Sequence, residues 1–357
     1  MISTFIESGA VPTEKALINQ HWVNGGIVVK GHSLTSYGET AGRSGLAIPG
    51  FVDLQVNGHG GMDLLSAKTV SDIKQVSKSL YSQGVVGYLP TLITGPKSET
   101  LRVMALIENA KREAGSDEAR ILGIHLEGPF ISTAKPGVHP LGHFQIPTLD
   151  LIGEYLRAGT VSIVTIAPEL PGAIEVIKHL SAMGIVVSLG HSNATAAEAH
   201  AGFDAGAKTV THLWNAMPPM TLRSPGLVGV ALERDDVTIQ IIVDGVHVAP
   251  EVVQATIAAA PDRFIVTNDA VAPAGLGEGK FPFGTFEVEV KAGRAVRSGG
   301  VLAGGVESLY GSLNLLLDLG VNLESAIASM SSRPAALIGQ GHIGNLDLGA
   351  PVQVIPA

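Results

Sequence analysis

The stretch "PGFVDLQVNGHGG" (residues 49–61) is where the chain changes character. Residues 1–48 before it run in short β-like pieces, such as "GGIVVKG" and "GLAIPG", punctuated by glycine. After Pro49, short apolar runs alternate with longer helical patterns. The stretch itself reads as an apolar strand that stops abruptly in glycine. It sets Gln55 and Asn57 at i and i+2, on one face. Two histidines so placed would suit a metal, but two amides are poor ligands. Any metal must then be held by other strands.

Working outward, eight apolar runs qualify as strands: "GFVDLQV", "VVGYLPTLI", "RILGIHLEG", "VSIVTIA", "GIVVSLGH", "TVTHLWN", "TIQIIVDG" and "FIVTND". Helical patterns lie between them, among them "TVSDIKQVSKSLYSQG", "KSETLRVMALIENAKREAG", "PGAIEVIKHLSAMG", "TAAEAHAGFDAG" and "PEVVQATIAAA". Several close on glycine, a common helix stop. Near-continuous apolar strands alternating with helices imply a parallel sheet buried on both faces. Eight such units predict an α/β fold, a (β/α)8 TIM-like barrel. An open doubly wound sheet is the competing arrangement, but no G-x-G-x-x-G loop follows the first strand.

After the eighth strand, "FPFGTFEVEVKAGRAVRSGGVLAGG" alternates like a β excursion, and two helical patterns follow. The ending "GHIGNLDLGAPVQVIPA" is again β-like. The expected organisation is a small β domain built from residues 1–48 and 339–357, beside a barrel over residues 49–338.

Composition narrows the function. Of 357 residues, 45% are hydrophobic and 15% charged, which suits a large buried core. The net charge of −9, with no basic run, argues against nucleic-acid binding. A small anionic substrate remains compatible, since one local arginine holds a phosphate against the net field. The absence of cysteine excludes disulfides and thiolate metal sites and fits the cytoplasm. No leader-like segment opens the sequence, and no run of about 18 apolar residues predicts a membrane span.

In a barrel, chemistry sits at the C-terminal ends of the strands. Strand three ends in "HLEGPF" with His125 and Glu127 on one face; strand five exits at His191 and strand six at His212. Strand seven offers Asp244 and His247, and strand eight exits at Asp269. Glu127, His191 and His212 make a mixed carboxylate–imidazole set for one divalent metal. Three protein ligands leave a position open for water. Zinc suits the set; iron, manganese or cobalt is also tolerated. Asp269, followed by the small residues "AVAPAG", is placed as a general base beside the metal, with a fourth ligand or a helix N-cap as alternatives. His125 is either a partner of the ligands or a packed barrel residue, the latter favoured. His139, in the loop "KPGVHP", reads as a solvated loop histidine unless the mouth of the site uses it to polarise a carbonyl. His21, His32, His143, His179, His200 and His342 read as surface.

Taken in order, "PGFVDLQVNGHGG", "GIHLEGPFI", "LGHSNAT", "THLWNAMPP", "SPGLVG", "IVDGVHV" and "VTNDAVAPAG" resemble the N-acetylglucosamine-6-phosphate deacetylases of the amidohydrolase superfamily. The ordered set spans about residues 45–275 and is specific where each motif alone is weak. The resemblance implies a distorted barrel with a small β domain and a homodimer. It also implies hydrolysis of the acetamide of N-acetyl-D-glucosamine 6-phosphate in amino-sugar catabolism. Its metal ligands match Glu127, His191 and His212, and its catalytic carboxylate matches Asp269. His139 matches the histidine that polarises the acetyl carbonyl. Asn215, Ala216 and His247 match the sugar-phosphate contacts, and Arg223 an arginine reaching the neighbouring subunit's substrate. Family members with His-x-His at positions 55 and 57 can hold a second metal; Gln55 and Asn57 imply one metal. These amides are expected to hydrogen-bond around the metal water or the substrate, with His59 and His125 nearby. His59 keeps a second metal position open. The loop "SGGVLAGG" departs from the family's usual sequence. The alternatives are an amidohydrolase acting on another N-acetylated amino sugar or a cyclic amide and, more remotely, a non-catalytic scaffold.

Overall fold

Each of the eight apolar runs forms a strand in the computed structural model, which describes residues 6–40, 42, 45–283, 286–297 and 299–355. In chain order they are β1 Phe51–Val56, β2 Val85–Ile93, β3 Ile124–Glu127, β4 Val161–Ile166, β5 Val186–Leu189, β6 Thr209–Val210, β7 Thr238–Ile241 and β8 Phe264–Val266. All pair in parallel and in sequence from β1 to β8. The seam between β8 and β1 closes just past the end of β8. There Asn57 N–H donates to the Ala270 carbonyl at 2.7 Å and Ala270 N–H to Gln55 at 3.3 Å. The result is a near-closed eight-stranded barrel. Every residue of β1 and of β2 is buried, which is why these strands read as unbroken apolar runs.

Helices return the chain between strands. Val70–Tyr81 starts from a capping box of Thr69 and Asp72, and Ala196–Asp204 from one of Thr195 and Glu198. Lys97–Arg112, Ala173–Ala182 and Pro250–Ala259 match the other helical patterns. Two further helices, Leu149–Ala158 and Gly226–Glu233, were not among the expected ones. The first buries only Ile152 and Tyr155, so its apolar stripe is thin. The second begins at a glycine and contains another, which weakens a helical reading. Three helices rather than two follow the excursion: Leu309–Asp318, Leu323–Ser329 and Ser332–Leu337. The last two are separated only by Met330 and Ser331, so they read as one pattern. No described helix is long and apolar enough to cross a membrane.

The two ends of the chain meet. Val352–Ile355 pairs antiparallel with Leu46–Pro49, which pairs with Lys15–Ile18, and that with His21–Asn24. A second sheet joins Gly9–Val11, Gly26–Lys30 and Ser33–Glu39. Leu46–Pro49 runs directly into β1, so the small β region is continuous with the barrel wall. The excursion is a four-stranded antiparallel sheet: Gly279–Phe283, Phe286–Lys291, Arg294–Arg297 and Leu302–Gly304. It hangs from the exit of β8: Gly305 N–H donates to the Asp269 carbonyl at 2.8 Å, and Val271 N–H to Gly305 at 3.2 Å. The close approach requires glycine, because a Cβ at Gly305 would run into the Asn268 carbonyl oxygen.

Candidate active site

Glu127 ends β3, and His191, His212 and Asp269 lie just beyond β5, β6 and β8. The last three share one backbone feature. Their φ values are 46°, 32° and 50°, in the left-handed region that non-glycine residues avoid at about 1–3 kcal/mol each. Strain of that size, at three strand exits around one axis, is maintained only by the surrounding fold.

The side chains converge on one buried cluster. Glu127 Oε1 lies 3.0 Å from His212 Nε2 and 3.3 Å from His191 Nε2, and the two imidazole nitrogens are 3.1 Å apart. Bonds of about 2.0–2.1 Å to a tetrahedral ion separate ligand atoms by about 3.3 Å. The three atoms therefore fit one such ion. Burial works to raise the Glu127 pKa, but the hydrogen bonds and charges of His191 and His212 outweigh it and hold it well below the ordinary range. With protons on His191 and His212 the carboxylate is held ionised, and a cation in place of those protons acts in the same direction.

His139 also comes close, its Nε2 3.9 Å from Glu127 Oε2, so that Glu127, His139 and His191 form a second possible triad. Hydrogen-bond direction separates the two sets. His139 Nδ1 accepts the Thr94 backbone N–H at 3.3 Å, so its ring proton sits on Nε2, which then donates and cannot ligate. His191 Nδ1 faces the Lys135 carbonyl at 2.9 Å and must donate, leaving the Nε2 lone pair open. Burial first, then the His191 charge, pushes His139 down to about 3, so it is neutral. It is a neutral donor at the edge of the cluster rather than a solvated loop residue.

The two amides of the opening stretch face this cluster. Gln55 Nε2 donates to Glu127 Oε1 and to Asp269 Oδ1, each at 2.9 Å, and Asn57 Nδ2 donates to the same Asp269 oxygen at 2.7 Å. Their nitrogens grip the carboxylates, while Gln55 Oε1 and Asn57 Oδ1 are buried without a protein partner among the described residues. With both amides on Oδ1, Asp269 keeps Oδ2 for other chemistry. Burial, then the charge of Glu127, raises the Asp269 pKa well above the ordinary value, the direction expected of a base that must also release its proton as an acid. His59 is buried but turned to Ser79, with Nδ1 2.7 Å from its Oγ, and does not line the cavity. Burial lowers it to about 4.

Beneath these side chains lies a polar chain. His125 Nδ1 donates to the Leu54 carbonyl at 3.0 Å, so Nε2 accepts from Thr165 at 2.8 Å. Thr165 then accepts from Thr211 at 2.8 Å, and Thr211 from Ser188 at 2.5 Å. His125 is fully buried, lowered by burial to about 4, and packed inside the barrel. Asp53 sits one step along β1. Its Oδ1 accepts from Thr267 at 2.7 Å and from Gln55 N–H at 3.1 Å, and its Oδ2 from Asn268 N–H at 3.3 Å. Sequence reasoning passed over Asp53, because it reads as one polar residue in an apolar strand.

Above the cluster opens a cavity of ≈ 350 Å³, walled by Asn57, His139, Asn215, Ala216, His247, Arg294 and residues 300–304. His247 Nδ1 pairs with Asp244 Oδ2 at 2.7 Å. Arg223 lies on an exposed turn and does not line the cavity. Of the histidines read as surface, His32 is half-buried, edge-on to Tyr81, and His143 is half-buried; His21, His179, His200 and His342 are exposed.

The model of the amidohydrolase family matches residues 46–352. The chain is 37% identical over 322 residues to the N-acetylglucosamine-6-phosphate deacetylase of Bos taurus, covering 86% of this chain and 78% of that protein. It is 33% identical to the N-acetylgalactosamine-6-phosphate deacetylase of Escherichia coli O157:H7, covering 87% and 83%. A mutant of the N-acetyl-D-glucosamine-6-phosphate deacetylase from Mycobacterium smegmatis, solved in complex with N-acetyl-D-glucosamine-6-phosphate, superposes with a TM-score of 0.89 at 29% identity, over 98% of this chain and 95% of that one.

Proposed function

This chain belongs to the amidohydrolase family, and we propose that it hydrolyses the acetamide of N-acetyl-D-glucosamine 6-phosphate to glucosamine 6-phosphate and acetate. It is a metal-dependent hydrolase, like its family. The observation that carries the reading is the convergence of Glu127, His191 and His212 within 3.3 Å, beside an Asp269 whose Oδ1 alone is engaged by the amides.

Glu127, His191 and His212 would hold the divalent ion, zinc by preference of the donor set. Bound there, the ion acidifies water and polarises an amide carbonyl. Asp269 takes the proton of the attacking water on Oδ2 while Gln55 and Asn57 fix its other oxygen. His139 donates Nε2–H to the acetyl oxygen as negative charge develops there. Asp269 returns its proton to the departing amine nitrogen as the C–N bond breaks. Asn215, the Ala216 backbone and His247 are assigned to the sugar phosphate. Arg223 is assigned to the neighbouring active site of a homodimer. Its turn supports that assignment, with Leu222 100% and Met220 52% exposed beside it. The cytoplasm is the proposed compartment, in keeping with a chain without cysteine.

Asp269→Asn is the test. Acetate release should fall at least about a hundredfold while metal stoichiometry stays near wild type. A metal-replete, active Asp269→Asn enzyme refutes the assignment. Likeness to the E. coli enzyme favours N-acetylgalactosamine 6-phosphate as a second substrate, and assaying both epimers decides the preference.

A further inference from the structure

We propose that Arg294, on the strand Arg294–Arg297, reads the phosphate of the substrate from within the same chain; this rests on the sugar-phosphate reading above. Among the described residues lining the cavity, Arg294 is the only lysine or arginine. Two carboxylates, Glu127 and Asp269, occupy the cavity floor. Burial works against the charge of Asp244, but the hydrogen bond and charge of His247 outweigh it, so that pair adds no net positive charge. His139 is neutral. A phosphate dianion entering a chain of net charge −9 therefore meets one uncompensated cation in its own pocket, Arg294.

The guanidinium is uncommitted: among the described residues it has neither an ion pair nor a hydrogen bond. Its planar fork suits two phosphate oxygens. Its position is also fixed relative to the chemistry. Ala295, next along the strand, pairs with Gly304, and Gly305 is bonded to the Asp269 carbonyl. The sheet that presents Arg294 is thus anchored on the backbone of the proposed base. Exposed at the rim, Arg294 can hold the charged end of a sugar whose acetamide sits at the floor.

The test compares wild type, Arg294→Leu, Arg294→Lys and Lys291→Leu. Lys291→Leu removes the same charge from the same sheet outside the cavity. Acetate release is measured from N-acetyl-D-glucosamine 6-phosphate and from the unphosphorylated sugar, with inorganic phosphate as competitive inhibitor. Arg294→Leu should raise KM for the phosphorylated sugar by about ten- to hundredfold, with kcat changing far less, and weaken phosphate inhibition by a similar factor. Arg294→Lys should recover part of the loss, and Lys291→Leu should show none. An Arg294→Leu enzyme that keeps the wild-type preference for the phosphorylated sugar overturns this inference alone. A wild type that treats both sugars equally overturns the substrate reading, and this inference with it.

Discussion

Asp53 gives a prediction whose sign and size follow from its surroundings. The side chain is fully buried, and burial pushes its pKa from the ordinary 3.8 up to about 6 despite hydrogen bonds from Thr267, Gln55 and Asn268. The unfolded chain releases this proton near pH 4, while the folded chain keeps it until about pH 6. Between those values the folded state binds more protons, so stability falls as pH rises and the loss is complete above about pH 6. At 1.36 kcal/mol per pH unit, the rise corresponds to about 3 kcal/mol. Asp53→Asn removes the titration and also loses the acceptor for Asn268 N–H, a constant offset. Chemical denaturation of both proteins from pH 4 to 7.5, metal saturated, reports the difference between them. Metal-linked protons are common to both and cancel. Because the unfolded carboxyl is already more than half ionised at pH 4, wild-type stability relative to Asp53→Asn should drop by about 2.4 kcal/mol between pH 4 and 7. A flat difference would mean that Asp53 titrates as it does in the unfolded chain, and the burial reasoning fails.

Two other perturbations probe the same layer. Gln55→Leu keeps the buried volume but removes a donor from Glu127 and one from Asp269. Losing a hydrogen bond to the ionised form raises the Asp269 pKa further, so the acid limb of the kcat/KM profile should move up by about one pH unit; an unmoved limb sinks the idea. Gly305→Ala places a methyl group against the Asn268 carbonyl and pushes the excursion off the exit of β8. It should lower kcat and cost about 1–3 kcal/mol of stability by thermal unfolding, while metal content persists because Glu127, His191 and His212 sit on other strands. Wild-type kcat and Tm would refute it.

The barrel was legible because its strands are buried on both faces, and continuous apolar runs record that burial directly. The helices Leu149–Ala158 and Gly226–Glu233 were not, since a thin stripe and two glycines leave little helical signal in their sequences. The convergence of Glu127, His191, His212 and Asp269 was legible through topology: a parallel barrel brings the C-terminal ends of its strands to one face. The direction of each hydrogen bond was not. That the His139 ring carries its proton on Nε2 depends on the Thr94 backbone N–H, 45 residues away in sequence. Arg294 was hidden for the same reason. In sequence it is a charged residue in a hairpin, and only the anchoring of that hairpin on Asp269 turns it toward the cavity.

The amides of "PGFVDLQVNGHGG" follow from polarity. An imidazole that binds a cation presents a lone pair, whereas an amide nitrogen presents protons. Glu127 Oε1 and Asp269 Oδ1 both lie 2.9 Å from Gln55 Nε2, and both are acceptors. A lone pair directed at that point would face two carboxylates and repel them unless a second cation intervened. Donors there instead bind both carboxylates at once, holding Asp269, the proposed base, at a set distance from Glu127. Gln55 and Asn57 are therefore the complement of two buried carboxylates beside the one proposed cation position. The strand that offers amides instead of imidazoles thus supplies the hydrogen bonds by which Asp269 is aimed.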